Sequence, residues 1–312
     1  MSYPKVATGL LLLLFSLFGA ATLTVMLNWH SSVMYALFLL VLLLWLASRY
    51  SKSGMYALGI FCLSVATFYF LLTPDEQFPP QTRWESNCAR LPKVEELPGD
   101  KIKILGVRDF KYRTETDFEA RYQDVTYELA RLQSVDIYLS HWDGMDEIAH
   151  TLLRFDFSDG KSVVLSVEMR CPDGTSRDYY TTFFKQHALI YIWGTPEDLC
   201  DLRSRFRGEA TYRYRTTLTP EESRTLFLTL VDRTADLSGK QEFYRVITGN
   251  CTTELLPYLK AVRPKLRWDI RALINGPFDR LLFEQGVIAH EPGELFEAVR
   301  ARSFIKNNAV RP

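Results

Sequence analysis

Residues 148–170 read IAHTLLRFDFSDGKSVVLSVEMR. Two runs of alternating apolar residues flank Ser158-Asp159-Gly160, the composition of a β-hairpin. The loop length decides the register. A two-residue Asp-Gly loop pairs 157 with 162 and sets Leu153 against Ser166, which mixes the faces. A three-residue loop pairs 157 with 161 and puts Gly160 in the left-handed position that such a loop requires. Phe155 then faces Val163, Leu153 faces Leu165, Thr151 faces Val167 and Ala149 faces Met169. On the other face His150 falls opposite Glu168, with side-chain stems about 5 Å apart.

A carboxylate on one ring nitrogen fixes the tautomer of an imidazole and leaves the other nitrogen to accept a proton, so His150 with Glu168 has the form of an oriented base. The same pair also describes a polar contact on a solvated sheet face, and the hairpin alone does not separate the two. Arg170 shares the face of Glu168 and could hold a substrate phosphate or carboxylate.

The second candidate is Cys251, in Gly249-Asn250-Cys251-Thr252-Thr253-Glu254, where a helix is expected to open and run through CTTELLPYLK. Unpaired amides at a helix start lower a thiol pKa and can support an oxyanion in acyl transfer. Asn250, directly before the thiol, joins Arg170 as a candidate substrate-binding residue. The alternatives for Cys251 are a buried small apolar residue or half a disulfide with Cys88, Cys171 or Cys200. His141, His187 and His290 read as structural. A Gly-rich phosphate loop, a G-x-S-x-G elbow, an HExxH motif, a CxxC pair and a Cys/His cluster are absent from the sequence, so no cofactor and no metal are implied.

Elsewhere the pattern predicts a helix over 117–133, strands over 148–157, 161–170, 188–193 and 209–218, and a helix from Thr219-Pro220-Glu221-Glu222 to about Leu237. The helix start combines a Thr cap, a first-turn Pro and a Glu at the reciprocal capping position. The mixture predicts an α+β domain with a largely antiparallel sheet and helices packed on it.

The 312-residue chain carries 37 basic and 37 acidic residues, a balance that excludes a strongly basic nucleic-acid binder. The charges are unevenly placed. Residues 1–73 hold only Lys5, Arg49 and Lys52, and no acid. Three apolar runs, 6–27, 31–48 and 55–72, read as transmembrane helices, the last two short for a hydrocarbon core of about 30 Å. Lys5 and the Arg49–Lys52 loop mark the cytoplasmic side, while the 28–30 connection has no Lys or Arg. The expected topology is three crossings in the bacterial inner membrane, with the N-terminus cytoplasmic and the C-terminal domain periplasmic. A cleaved signal peptide is the competing reading of the first run, but that run stays apolar past Ala20-Ala21 and further runs follow. Residues 74–109 read as a Pro-rich linker and lead-in.

DIYLSHWDGMDEIAHTLLRFDFSDGKSVVLSVEMR (136–170) and FYRVITGNCTTELL (243–256) resemble the two signatures of the Lnb N-terminal periplasmic domain family, the second built around Asn-Cys-Thr-Thr. FFKQHALIYIWGTPEDLCDLR and YRYRTTLTPEES between them also fit. The resemblance covers roughly 110–270 and leaves 271–312 as a C-terminal extension. It implies a papain-like thiol fold of the NlpC type, circularly permuted, with histidine before cysteine. By position it makes Cys251 the nucleophile, His150 the base and Glu168 the orienting residue. Some members are similar to lipoprotein N-acyltransferases, which move a fatty acyl chain from a phospholipid to the amine of a diacylated lipoprotein. The implied protein is a membrane-anchored cysteine acyltransferase with membrane lipid and lipoprotein as partners. A thiol hydrolase or amidase acting on cell-wall peptides would use the same dyad, and a non-catalytic envelope domain would use neither.

Overall fold

The computed structural model describes residues 78–79, 81–142, 145–175 and 187–305, with isolated helical positions between 41 and 63. The chain divides into two compact units, one of Met1–Glu76 with Tyr179–Lys185 and one of Gln77–Asp178 with Gln186–Pro312. The three expected spans lie almost wholly outside the described residues. Among the described residues no helix is long and apolar enough to cross a membrane.

The second unit is α+β, as expected. Its eight-stranded sheet comprises β1 (Lys93–Leu97), β2 (Lys101–Arg108), β5 (Tyr122–Glu128), β6 (Leu132–Trp142), β7 (Met145–Phe157), β8 (Ser162–Arg170), β9 (Ala188–Gly194) and β10 (Ala210–Arg215). Their order is β1-β2-β9-β8-β7-β6-β10, with β5 also pairing with β2. Every pairing is antiparallel except the short parallel contact of β2 with β9. Strands β3 (Lys111–Tyr112) and β4 (Phe118–Glu119) form a separate small ribbon. The helices are α1 (Pro196–Asp201), α2 (Pro220–Gly239), α3 (Leu256–Val262), α4 (Phe278–Glu284) and α5 (Phe296–Ser303).

The hairpin forms in the register that the apolar pattern selects, with Phe155 opposite Val163 and Leu153 opposite Leu165. Gly160 closes the loop at φ 83°, donating its N–H to the Phe157 carbonyl at 3.1 Å. Helix α2 opens as its sequence predicts. The Thr219 hydroxyl accepts from Glu222 N–H at 3.2 Å, and the Glu222 carboxylate accepts from Thr219 N–H at 2.7 Å.

Three expectations are corrected. Residues 117–133 form β4, β5 and a 3-10 turn at Leu129–Arg131, not a helix. The alternation that buries Tyr127 between half-buried neighbours wins once β2 offers an edge, because strand formation rewards cross-strand packing over local propensity. The lead-in is not all linker, since it supplies β1 and β2. Residues 271–305 are no appendage either: α4 and α5 bury Phe278, Leu281, Leu282 and Val299 in the main core or close to it.

Both sheet faces are covered. One carries the large core, where Phe227 of α2 meets Phe155, Phe157, Tyr127 and Trp193. The other carries Tyr138, Leu152, Val164 and Ile190 under Leu199 and Cys200 of α1 and Cys88 of the lead-in. The His150 face of the hairpin is therefore buried, not solvated. Helix α1 is fixed by Asp198, which is fully buried and accepts from Arg108 at 2.9 and 2.7 Å and from Phe110 N–H at 2.8 Å. Asp198→Ala leaves the buried Arg108 guanidinium without its counter-charge, with only the Asn87 carbonyl and the Tyr112 hydroxyl to accept from it, so chemical denaturation should show a loss of about 3–5 kcal/mol; a loss below about 1 kcal/mol, the range of exposed pairs, would contradict this account.

Candidate functional site

The pairing of β7 with β8 ends at Leu152–Ser166. Beyond it β7 stays with β6, where His150 pairs with Ser140, and β8 stays with β9, where Glu168 pairs with Ile190. The separation frees backbone groups on one edge of β7, and buried backbone groups must find partners. Ala149 N–H donates to Asn275 Oδ1 at 3.0 Å, and the Glu147 carbonyl accepts from Gly276 N–H at 2.9 Å. The Cys251 thiol lies 3.8 Å from the Ala149 carbonyl, and Thr151 N–H donates to its sulfur. The thiol thus sits where β8 would otherwise continue.

Asn250 orients the turn that carries the thiol. Its Oδ1 accepts from Thr252 N–H at 2.9 Å and Thr253 N–H at 2.8 Å, while its Nδ2 donates to the Val246 carbonyl at 2.8 Å. The α-helix itself begins later than expected, at Leu256, after helical turns over 251–255. Pro257 fits its first turn, where no N–H partner is needed. Asn250 consumes two of the amides, and the Cys251 N–H is turned toward the Tyr244 hydroxyl, whose pKa it lowers. Thr252 is fixed by Thr151 at 2.8 Å.

His150, Glu168 and Cys251 converge. His150 Nε2 lies 2.7 Å from Ser166 Oγ and 3.1 Å from Glu168 Oε1. Ser166 also donates to Glu168 at 2.7 Å. With Nε2 engaged there, Nδ1 is the ring nitrogen left to meet Cys251, whose charge acts on the imidazole. Asn275 Nδ2 donates to the sulfur at 3.4 Å and to Thr252 Oγ1 at 3.1 Å. Behind Glu168, Arg203 of the π-helical turn Leu202–Phe206 donates to Glu168 at 3.1 Å and to Glu209 at 3.1 Å. Glu209 in turn accepts from Ser140 at 2.6 Å.

The electrostatics favour a thiolate beside an imidazolium. Burial and Arg203 push the His150 pKa down, but Glu168 and Cys251 outweigh them and raise it to about 9. Burial opposes the Cys251 thiolate, yet the charge and hydrogen bond of His150, with Thr151 N–H and Thr252, bring its pKa below the ordinary thiol value. Burial likewise opposes ionisation of Glu168, but His150, Arg203 and Ser166 hold it well below the carboxylate range. Tyr244 stays a phenol, its pKa raised by burial and by the nearby Cys251 and Glu168 charges.

The remaining expected residue is elsewhere. Arg170 donates to the Cys88 and Ala89 carbonyls at 3.0 and 2.6 Å and lies over the Trp84 ring, tying β8 to the lead-in. Cys251 is a free buried thiol, as is Cys200, so the disulfide reading of Cys251 is corrected. His141 is packed on Tyr212 near Arg300, and His290 bonds the Ile288 carbonyl. Among the described residues no His/Cys/Asp/Glu group is placed to hold a metal. Ser166, Arg203, Glu209, Tyr244 and Asn275 were not singled out from the sequence. Ser166 was findable, being two residues from Glu168 on one strand face, and Asn275-Gly276 is a turn dipeptide.

The class is set by these parts: an α+β domain with a buried Cys–His–Glu cluster, histidine first in the chain. The family model described as Lnb N-terminal periplasmic domain matches residues 118–279, more than half of the chain, and the protein belongs to that family. No curated protein and no solved structure matches it.

Two outcomes follow from the geometry. Removing the imidazolium in His150→Ala leaves burial to raise the thiol pKa, so the pH midpoint of Cys251 alkylation by iodoacetamide should move upward from that of the wild type; an unchanged midpoint would refute the ion pair. A Cβ on Gly276 would lie 2.1 Å from the Asp146 carbonyl oxygen. Gly276→Ala must therefore push Asn275 away, and alkylation kinetics of Cys251 should change while Gly239→Ala, in open space at the end of α2, leaves them unaltered.

Proposed function

We propose that this periplasmic-family domain is a cysteine-dependent acyltransferase of papain-like, permuted NlpC type. The observation that carries the reading is the buried cluster in which Asn275 Nδ2 lies 3.4 Å from the Cys251 sulfur and His150 Nε2 lies 3.1 Å from Glu168. The charges there act in the direction such chemistry needs, lowering the Cys251 pKa and raising that of His150, so that one group serves as nucleophile and the other as proton donor to the leaving group.

The steps follow from the residue types. The Cys251 thiolate attacks an ester carbonyl, and the oxyanion is met by Cys251 N–H and the Tyr244 hydroxyl, which separate from one another to receive it. Collapse breaks the ester C–O bond, and the imidazolium of His150 protonates the departing alkoxide. The product is a Cys251 thioester and a neutral alcohol. An amine then attacks the thioester, His150 takes the amine proton, and the thiolate leaves as the amide forms. Glu168, Ser166 and Arg203 keep the imidazole oriented through both halves.

The family resemblance supports a phospholipid as the acyl donor and a lipoprotein amine as the acceptor. The three apolar runs of residues 1–73 would tether the domain at the inner membrane, where acyl lipid is at high local concentration.

Intact mass of the full chain purified from its own membrane, before and after neutral hydroxylamine, tests the reading. The expected result is a fatty-acyl adduct that hydroxylamine removes and that Cys251→Ala lacks. An unmodified, probe-reactive Cys251 together with cleavage of cell-wall peptides would replace transfer with hydrolysis. Cys251→Ser should lose at least about 100-fold in transfer rate, because a serine hydroxyl is not ionised beside an imidazolium; full activity of that variant would end the thiol mechanism.

A further inference from the structure

Asn275, whose amide touches the thiol, is reached through residues 263–274, RPKLRWDIRALI. In this segment Trp268 is 61 % exposed, Ile270 51 % and Ile274 50 %. Ile247, in the turn before Asn250, is exposed too, as is Trp142 at the end of β6. The hairpin that Trp142 belongs to is the one whose β7 start receives Gly276. Large apolar side chains scattered singly on a surface need no explanation, but several gathered on the segments that enter one site do.

The segment is held rigidly in this form. Leu266 and Ala272 are buried in the core. Arg267 N–H donates to Gln285 Oε1 at 2.6 Å, and Gln285 Nε2 donates back to the Arg267 carbonyl at 3.1 Å. The Arg271 guanidinium is bound by Asp269 at 3.0 Å and by Glu284 at 2.7 Å. The scaffold therefore fixes Trp268, Ile270 and Ile274 outward when the same chain, if loose, could fold them onto apolar surface.

Charge says what meets them. Arg263 is paired with Glu222, and Arg271 with Asp269 and Glu284, which leaves the exposed Lys265 and Arg267 as the outward cations of the segment. Tryptophan at headgroup depth, aliphatic residues beneath it and Lys/Arg toward anionic lipid is the composition that seats at a bilayer interface. Two clusters on one segment, apolar and cationic, match the two layers of a phospholipid surface.

We propose that residues 263–274 are a bilayer-docking element, seated in the headgroup layer of an anionic phospholipid membrane, which brings Asn275 and Cys251 to the lipid. The proposal rests on the acyl-transfer reading only for why the element adjoins Cys251; the docking itself stands on the exposed side chains and their charge.

The test uses the full chain in proteoliposomes of phosphatidylcholine and phosphatidylglycerol, with and without brominated acyl chains. Trp268→Phe isolates the Trp268 emission by difference, and an unchanged thermal midpoint shows that the variant folds. The expected result is a blue-shifted difference emission that loses most of its intensity in brominated vesicles. Emission that aqueous iodide quenches and bromolipid does not would overturn the proposal, as would emission shielded from both, which would indicate a protein partner. The same measurement in a Cys251→Ala background separates the two readings: quenching there, with no thioester on the wild-type protein, keeps the docking and ends the acyl transfer.

Discussion

A β-strand that parts from its neighbour leaves donors and acceptors that water or protein must satisfy. Everything at this site answers that requirement on β7. Where β8 turns away to follow β9, the edge from Glu147 to Thr151 is taken up by Gly276, Asn275 and Cys251. The thiol is thus placed by main-chain bonding, and His150, on the same stretch of strand, is placed by the same event. A glycine at 276 is the steric condition, because nothing with a Cβ approaches that edge closely enough.

The charges behind the thiol form the second layer of the arrangement. Buried charges persist when they alternate in sign and share hydrogen bonds, and here Glu168, Arg203 and Glu209 do so in sequence behind His150. Arg203 is delivered by the turn that continues α1, and α1 is held to β2 through Asp198 and Arg108. The small face of the sheet, with its modest apolar cluster, is therefore more than packing. It is the support on which the carboxylate is fixed.

The hairpin register was legible because two local signals agreed, the Ser-Asp-Gly loop and the apolar alternation, but it holds only as far as Leu152–Ser166: the expected pairs of Thr151 with Val167, His150 with Glu168 and Ala149 with Met169 do not form, and His150 meets Glu168 through side chains alone. Cys251 was legible through Asn-Cys-Thr-Thr. What the sequence did not reveal are the partners from distant chain positions: Arg203 and Glu209 look like members of an ordinary basic stretch, RFRGEATYRYR, and Asn275 lies beyond the stretch that carried the resemblance. Residues 117–133 misled for a related reason, since the edge of β2 that makes them a strand is set by tertiary pairing. Arg170 shared a face with Glu168 as the register requires, yet a shared face did not decide its partners, and the lead-in captured it.

The alternating row of charges begins at Cys251, whose anion helps to raise His150 while Arg203 lowers it. In the proposed transfer an acylated Cys251 would carry no charge, so that contribution would be lost from the thioester while Arg203 stayed. The imidazolium would then be a stronger acid in the acylated form than in the free protein, and release of the thiolate would restore the original balance. On that reading the nucleophile would report its own reaction state, setting the basicity of its partner through nothing more than the presence or absence of one buried charge.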